Sequence, residues 1–235
     1  MMNPLDVLKL KPEDFQDREV SAEEMLEWLG ACDACWVHSG RAGDPHALLT
    51  KGGHSNGFFN CLQVLKYVNL SEILANQLAR RIREIIGDQR VGWVIASPMA
   101  GITFGHDVAR ALGASVFMFT EKGPNKTMLF NRMMIPKGVR VLQIEELITT
   151  SGTLNTVKQA VDEAHSPYSI NWIPVIGAVV HRPPQLPITH YGGRQVVSLI
   201  EQKVEVWTEE SCPLCAGGSV ALPAKTHWAD LTGEA

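Results

Sequence analysis

Four apolar runs of strand length, "VGWVIA" (91–96), "SVFMF" (115–119), "VRVLQI" (139–144) and "WIPVIGAVV" (172–180), constrain this chain more than any other feature. Segments of helical character separate them: "GITFGHDVARALG" stands between the first two, and "GTLNTVKQAVDEAH" between the last two. Apolar strands alternating with helices predict right-handed βαβ units around a parallel sheet with both faces covered. The fold class is therefore α/β, and ligands of such sheets gather at the carboxyl ends of the strands.

Further elements surround this frame. "SAEEMLEWLGAC" places Ser21 three residues before Glu24, a capping box, and spaces Met25, Leu26 and Leu29 as a helix that ends near Gly30. "SEILANQLARRIREII" predicts an amphipathic helix with Ser71 as its cap and Gly87 past its end. Between the two helices, Gly40, Gly43, Gly52, Gly53 and Gly57 break the chain into short strands or a loop reaching over a site. "TEKGPNKTMLFNRMMIPKG" has no helical period and predicts a hairpin or flap. From Thr208 the chain turns Gly-, Ala- and Pro-rich. The organisation expected is a main domain over 1–207, including an N-terminal helical segment, and a small cysteine-containing appendage over 208–235.

A length of 235 residues suits one domain, and 45% hydrophobic content is enough for a full core. A net charge of −4 argues against a nucleic-acid partner, which calls for a basic face. No apolar run approaches the roughly 18 residues that span a bilayer. The opening "MMNPLDVLKLKPEDF" carries acids where a signal peptide has a basic and then an apolar region. The expectation is a cytoplasmic protein with no membrane partner.

The third apolar run leads into Glu145 and Glu146, and then into Thr149-Thr150-Ser151-Gly152-Thr153. Two adjacent carboxylates at the edge of a core need a cation or sugar hydroxyls. A Thr/Ser/Gly turn that opens a helix offers free N–H groups and hydroxyls to a phosphate. Glutamates alone would be a solvated strand end; the whole pattern describes a ligand with hydroxyls at one end and an anion at the other.

This unit resembles the 5-phosphoribosyl-1-pyrophosphate (PRPP) signature of the type I phosphoribosyltransferases: an apolar strand, two acids, two apolar residues, then Thr-Thr-Gly/Ser-Gly-Thr. "VIASPMAGITFGHDVARAL" resembles the family's pyrophosphate loop and following helix, with Ser97, Pro98, Met99, Ala100 and Gly101 as the loop. "ALLTKGGHSNGFFN" resembles the N-terminal segment of the orotate branch, which implies base-binding roles for Lys51, Phe58 and Phe59. The resemblance implies a parallel-sheet phosphoribosyltransferase fold with a flap. It also implies transfer of ribose 5-phosphate from PRPP to a nucleobase, orotate-like in class, with Mg²⁺ present and pyrophosphate released. Glu145 and Glu146 would face an oxocarbenium-like ribose. Lys122 and Lys126 would supply positive charge from the flap, and a homodimer would let flaps serve neighbouring sites.

The chain also departs from the family. Both acids are Glu where Asp is usual at one or both positions, Thr120 stands where an Arg is expected, and the flap has no His. These departures leave a second reading open: a PRPP- or nucleotide-sensing regulatory protein with little transferase activity. A dinucleotide-binding fold is excluded, since no G-x-G-x-x-G follows a strand.

The five cysteines are Cys32, Cys35, Cys61, Cys212 and Cys215, and they include two CxxC pairs. Cys212 and Cys215 have the spacing of a zinc ligand pair. Their further ligands could be Cys32 and Cys35, His227, or the tail pair of a second subunit; redox activity and free thiols are the alternatives. Cys61 is expected to be buried. His38, His46, His54 and His106 show no metal-motif spacing and are expected to be satisfied or at the surface, with His54 best placed to reach a site. Phe58 and Phe59 suit either stacking on a base or core packing.

Overall fold

The structure, a computed structural model, describes residues 3–50, 52–183 and 186–233. Its strands in chain order are β1 (Cys35–Val37), β2 (His46–Leu48), β3 (His54–Ser55), β4 (Gly57–Phe59), β5 (Trp93–Ala96), β6 (Val116–Phe119), β7 (Glu121–Lys122), β8 (Met128–Leu129), β9 (Arg140–Ile148), β10 (Asn171–His181), β11 (His190–Tyr191), β12 (Arg194–Glu201), β13 (Val206–Trp207) and β14 (Ala221–Pro223).

The central sheet has six strands in the order β11-β12-β10-β9-β5-β6. All neighbours are parallel except the edge pair β11–β12. The four apolar runs thus form its interior and one edge, as an α/β class requires. β12 adds a parallel strand that was not read from the sequence.

One face is covered by the helices Val68–Ile86 and Ala100–Leu112, which bury Ile73, Leu74, Leu78, Ile82, Phe104 and Val108 in the main core. Gly177 permits this close packing: a Cβ there would lie 2.6 Å from Ile144 Cδ1 and 3.0 Å from Ile82 Cδ1. The helix Gly152–Ala164 covers the other face, with Val157 and Val161 packed against a cluster that includes Trp93, Ile95 and Val141.

The helix ends follow local chemistry with one correction. Ser21 caps the helix Ala22–Ala31 by accepting from Glu24 N–H, and Gly113 ends Ala100–Leu112 in the left-handed conformation at φ +67°. The second long helix begins at Val68, one turn earlier than expected. Ser71 is inside it and donates its hydroxyl to Asp107 Oδ2 at 2.6 Å, so it bonds to a neighbouring helix instead of capping its own.

A smaller sheet, β13-β3-β2-β14, stands beside the main one. β14 lies in the segment expected to be an appendage, yet it pairs parallel with β2 through Ala221↔His46, Leu222↔Ala47 and Pro223↔Leu48. Trp36 Nε1 also donates to Leu231 O at 2.8 Å, and Trp228 Nε1 to Asp33 Oδ1 at 2.9 Å. The tail is built into the molecule's second sheet. Among the described residues, no helix is long and apolar enough to cross a membrane.

Candidate active site

β9 continues through the two acids and ends only at Ile148, so Glu145 and Glu146 belong to the strand and do not follow it. Strand alternation then sends them to opposite faces, which answers how two adjacent carboxylates are tolerated.

Glu145, 2% exposed, accepts from Ser97 Oγ at Oε2 and from Gln143 Nε2 at Oε1, the latter at 3.1 Å. Gln143 also donates to Leu154 O, and its own Oε1 accepts from Arg194 Nη1 at 2.7 Å. A relay of buried polar groups therefore runs from β12 to the acid. Burial pushes the Glu145 carboxyl up to about 8, against the opposing effect of the Ser97 hydrogen bond.

Glu146 is half-buried, and its Oε2 is enclosed with no hydrogen-bond partner. Burial raises its pKa, and the Lys122 charge acts in the opposite direction. The first turn of the helix Ala100–Leu112 approaches this carboxylate: a Cβ on Gly101 would lie 3.3 Å from Glu146 Oε2. The expected pyrophosphate loop thus meets both acids, with Ser97 bonded to Glu145 and Gly101 beside Glu146. Pro98 and Ala100 are half-buried, and Met99 is exposed between them.

Ser151 occupies the N-cap position of the helix Gly152–Ala164 without a side-chain capping bond, leaving the first-turn N–H groups at the Thr149–Thr153 loop. Two clefts meet at this loop. One, of about 590 Å³, is lined by Glu145, Thr149, Thr150, Gly152 and Thr153, together with Lys122, Gly123 and Thr127 of the β7–β8 hairpin. The other, of about 850 Å³, is lined by Thr149, Thr150, Phe58 and Arg182, the turn residues Leu49, Thr50, Gly52 and Gly53, and the 204–210 segment. Thr149 and Thr150 line both.

The remaining expected site residues divide. Phe58 lines the second cleft and packs near Trp228, whereas Phe59, on the other face of β4, is buried in the main core. Lys51 and the side chain of Lys126 lie outside the described residues. Lys122 reaches the first cleft.

Arg182 was not read from the sequence. It follows β10 directly, at the carboxyl end of a central strand, where the sheet rule would have pointed. Its Nε is buried without a partner, and burial lowers its pKa. Gln143 and Arg194 were also missed; nothing in their local sequence marks them.

The cysteine pairs separate. Cys32 is buried in the main core, and Cys35 Sγ contacts Leu26 O at 3.8 Å. His227 N-caps the helix Trp228–Thr232, and its Nδ1 lies 2.9 Å from Thr226 Oγ1. The groups that meet Cys212 and Cys215 are His46 and His54, and the four ligand atoms lie within 4.8 Å of one another. Neither the Cys32/Cys35 pair nor His227 belongs to this group. His46, expected to be satisfied or at the surface, is fully buried in it.

No family model matches the chain. The orotate phosphoribosyltransferase of Pelotomaculum thermopropionicum is 34% identical over 177 residues, which cover 75% of this chain and 86% of that protein. The orotate phosphoribosyltransferase of Desulforamulus reducens is 32% identical over 179 residues, covering 76% of this chain and 85% of that protein. The crystal structure of orotate phosphoribosyltransferase from Aeropyrum pernix aligns with a TM-score of 0.53 at 16% identity, over 75% of this chain and 93% of that one. It shows a shared fold.

Proposed function

The chain belongs to the orotate phosphoribosyltransferase family, and from that premise we propose that it transfers ribose 5-phosphate from PRPP to an orotate-like base and releases pyrophosphate. The observation that carries this reading is the pair of clefts sharing Thr149 and Thr150. A phosphate held by that loop leaves its sugar between a cleft with the Glu145 carboxyl and a flap lysine and a cleft with an aromatic ring and an arginine.

In this reading the N–H groups and hydroxyls of Thr149, Thr150, Ser151, Gly152 and Thr153 receive the 5′-phosphate. Glu146, whose Oε2 has no protein partner, takes the ribose hydroxyls. Its negative charge favours the oxocarbenium-like sugar that forms as the C1–pyrophosphate bond breaks and the base nitrogen bonds to C1. Glu145 has partners on both oxygens, so its part is to hold the Ser97–Gly101 loop against the acid pair while bordering the flap cleft. Lys122 supplies positive charge toward the departing pyrophosphate.

Phe58 and Arg182 form the base side; a half-buried guanidinium whose enclosed Nε has no partner suits the carboxylate of an orotate-like base. Magnesium belongs to this reading: it would be held chiefly by substrate phosphates and would neutralise their charge. The enclosed Glu146 oxygen is a donor of the right hardness for it. A homodimer and a cytoplasmic setting complete the proposal, and light scattering tests the first.

The engaged state of Glu145 favours one rival, a PRPP or nucleotide sensor without turnover. Measuring pyrophosphate release from PRPP and Mg²⁺ across a panel of bases separates the two. Release that depends on an orotate-class base supports the transferase; PRPP binding without release under any base supports the sensor.

A further inference from the structure

We propose that His46, His54, Cys212 and Cys215 form a closed tetrahedral site for zinc, and that this metal holds the two walls of the base-side cleft in register. The ligand set stands on its own geometry; the effect on the cleft rests on the functional reading above.

His46 Nε2 lies 2.9 Å from His54 Nδ1, 3.6 Å from Cys212 Sγ and 3.5 Å from Cys215 Sγ, and His54 Nδ1 lies 3.2 Å from Cys215 Sγ. With Zn–N near 2.05 Å and Zn–S near 2.3 Å, a regular tetrahedron places two nitrogens about 3.3 Å apart and a nitrogen and a sulfur about 3.6 Å apart. These four separations lie within about 0.5 Å of those edges, and all four donor atoms lie within 4.8 Å of one another. Two thiolates balance a divalent charge, so the filled site is neutral, as a mostly buried position requires.

The four ligands come from three elements. His46 and His54 stand on the paired strands β2 and β3, where Leu48↔His54 and Ala47↔Ser55 are opposite, so the two histidines are diagonal neighbours on one face. Cys212 is the N-cap, and Cys215 the third residue, of the one-turn helix Pro213–Ala216, just beyond β13. The outer contact of His46 also fits. Ser219 gives its hydroxyl hydrogen to Asp44 O and so accepts from His46 Nδ1–H at 2.7 Å. That tautomer leaves the Nε2 lone pair facing the cluster.

The consequence follows from chain order. Leu49, Thr50, Gly52 and Gly53, between the two histidines, line the base-side cleft, and so does the 206–210 segment leading into Cys212. A metal bound to all four residues crosslinks these walls behind the cleft. Four protein ligands leave no open position, so the role is structural, not catalytic.

Metal analysis of the full-length protein purified without chelator, after incubation with zinc sulfate and desalting, should give about one zinc per chain. Cobalt(II) in its place should show tetrahedral d–d and thiolate charge-transfer absorption. Cys215→Ser and His54→Ala should each abolish stoichiometric binding, while Cys32→Ser should not. Ser219→Ala should weaken zinc affinity by about tenfold or more. Stripping the metal should raise the KM for the base severalfold and leave PRPP affinity within about twofold.

Zinc below about 0.2 equivalents in wild type, zinc retained by Cys215→Ser, or a Cys212–Cys215 disulfide by mass in freshly isolated protein would overturn the site. Zinc bound as expected with an unchanged KM would overturn its role in the cleft. Because metal content is read without substrate, these results remain meaningful even if the transferase reading fails.

Discussion

Ser97 Oγ donates to Glu145 Oε2 across neighbouring strands, joining the loop after β5 to the first acid of β9. This bond opposes the burial that drives the carboxyl pKa up to about 8 from an ordinary 4.5. Glu145 therefore carries its proton at neutral pH in the ligand-free protein, and the sign of its effect on stability is set. Below 4.5 the group is protonated in both folded and unfolded states. Between 4.5 and about 8 the unfolded chain ionises while the folded one does not, so stability falls as pH rises and levels off above about 8. Urea midpoints across that window should fall in the wild type and fall less in Glu145→Gln. Equal slopes in both would show that the buried carboxyl is not the source. Ser97→Ala should extend the upper end of the window to higher pH and leave its lower end at the unfolded value.

Glu146 should behave differently, because its enclosed oxygen lacks a partner. Glu146→Gln keeps the shape and removes the charge. Its expected effect is a loss in kcat on the order of tenfold to a hundredfold, with a smaller change in PRPP affinity, since charge matters most at the oxocarbenium-like transition state. Steady-state rates alongside calorimetry separate the two. A change in affinity alone would be the mark of a sensor.

Gly152 can carry a side chain in the empty loop. The nearest atom to an added Cβ is Thr150 Oγ1 at 3.8 Å, so Gly152→Val should fold. The new methyls would occupy the space where a phosphate meets the first-turn N–H groups, and PRPP binding by calorimetry should become undetectable. Wild-type affinity in a folded variant would move the phosphate site elsewhere.

Arg182 predicts a base-side phenotype. Hydrogen bonds to charged groups contribute roughly 1.5–3 kcal/mol, so Arg182→Ala should raise the KM for an orotate-class base by about tenfold to a hundredfold. PRPP affinity should change little, because the phosphate loop's N–H groups and hydroxyls belong to another segment. An equal loss for both substrates would mean that the residue supports the fold instead.

Gly177 tests the sheet itself. Gly177→Ala drives a methyl against Ile144 and Ile82, with 2.6 Å to the nearer atom. Overpacking of this kind costs about 1–3 kcal/mol. Thermal melting should drop by several degrees with kcat near normal in the folded fraction; an unchanged melting temperature would show that the helix Val68–Ile86 gives way easily.

The sequence by itself determined the α/β class, the order of the central strands' apolar runs, and the Thr/Ser/Gly loop that opens a helix, because all three rest on local patterns. Apolar period, helix starts and a Thr/Ser/Gly turn are properties of consecutive residues. It also marked Glu145 and Glu146 as a pair, yet not their separation: only the continuation of β9 through both acids sends one to Ser97 and leaves the other without a partner. The rest depended on contacts that adjacency does not encode. Arg194 reaches Gln143 from a strand 51 residues away. Cys212 meets His46 across 166 residues, because β14 and β13 return the tail to β2 and β3. The sequence showed two cysteines spaced three apart and several candidate partners; which histidines stand beside them was decided by sheet pairing, a long-range choice among many closures of the same chain.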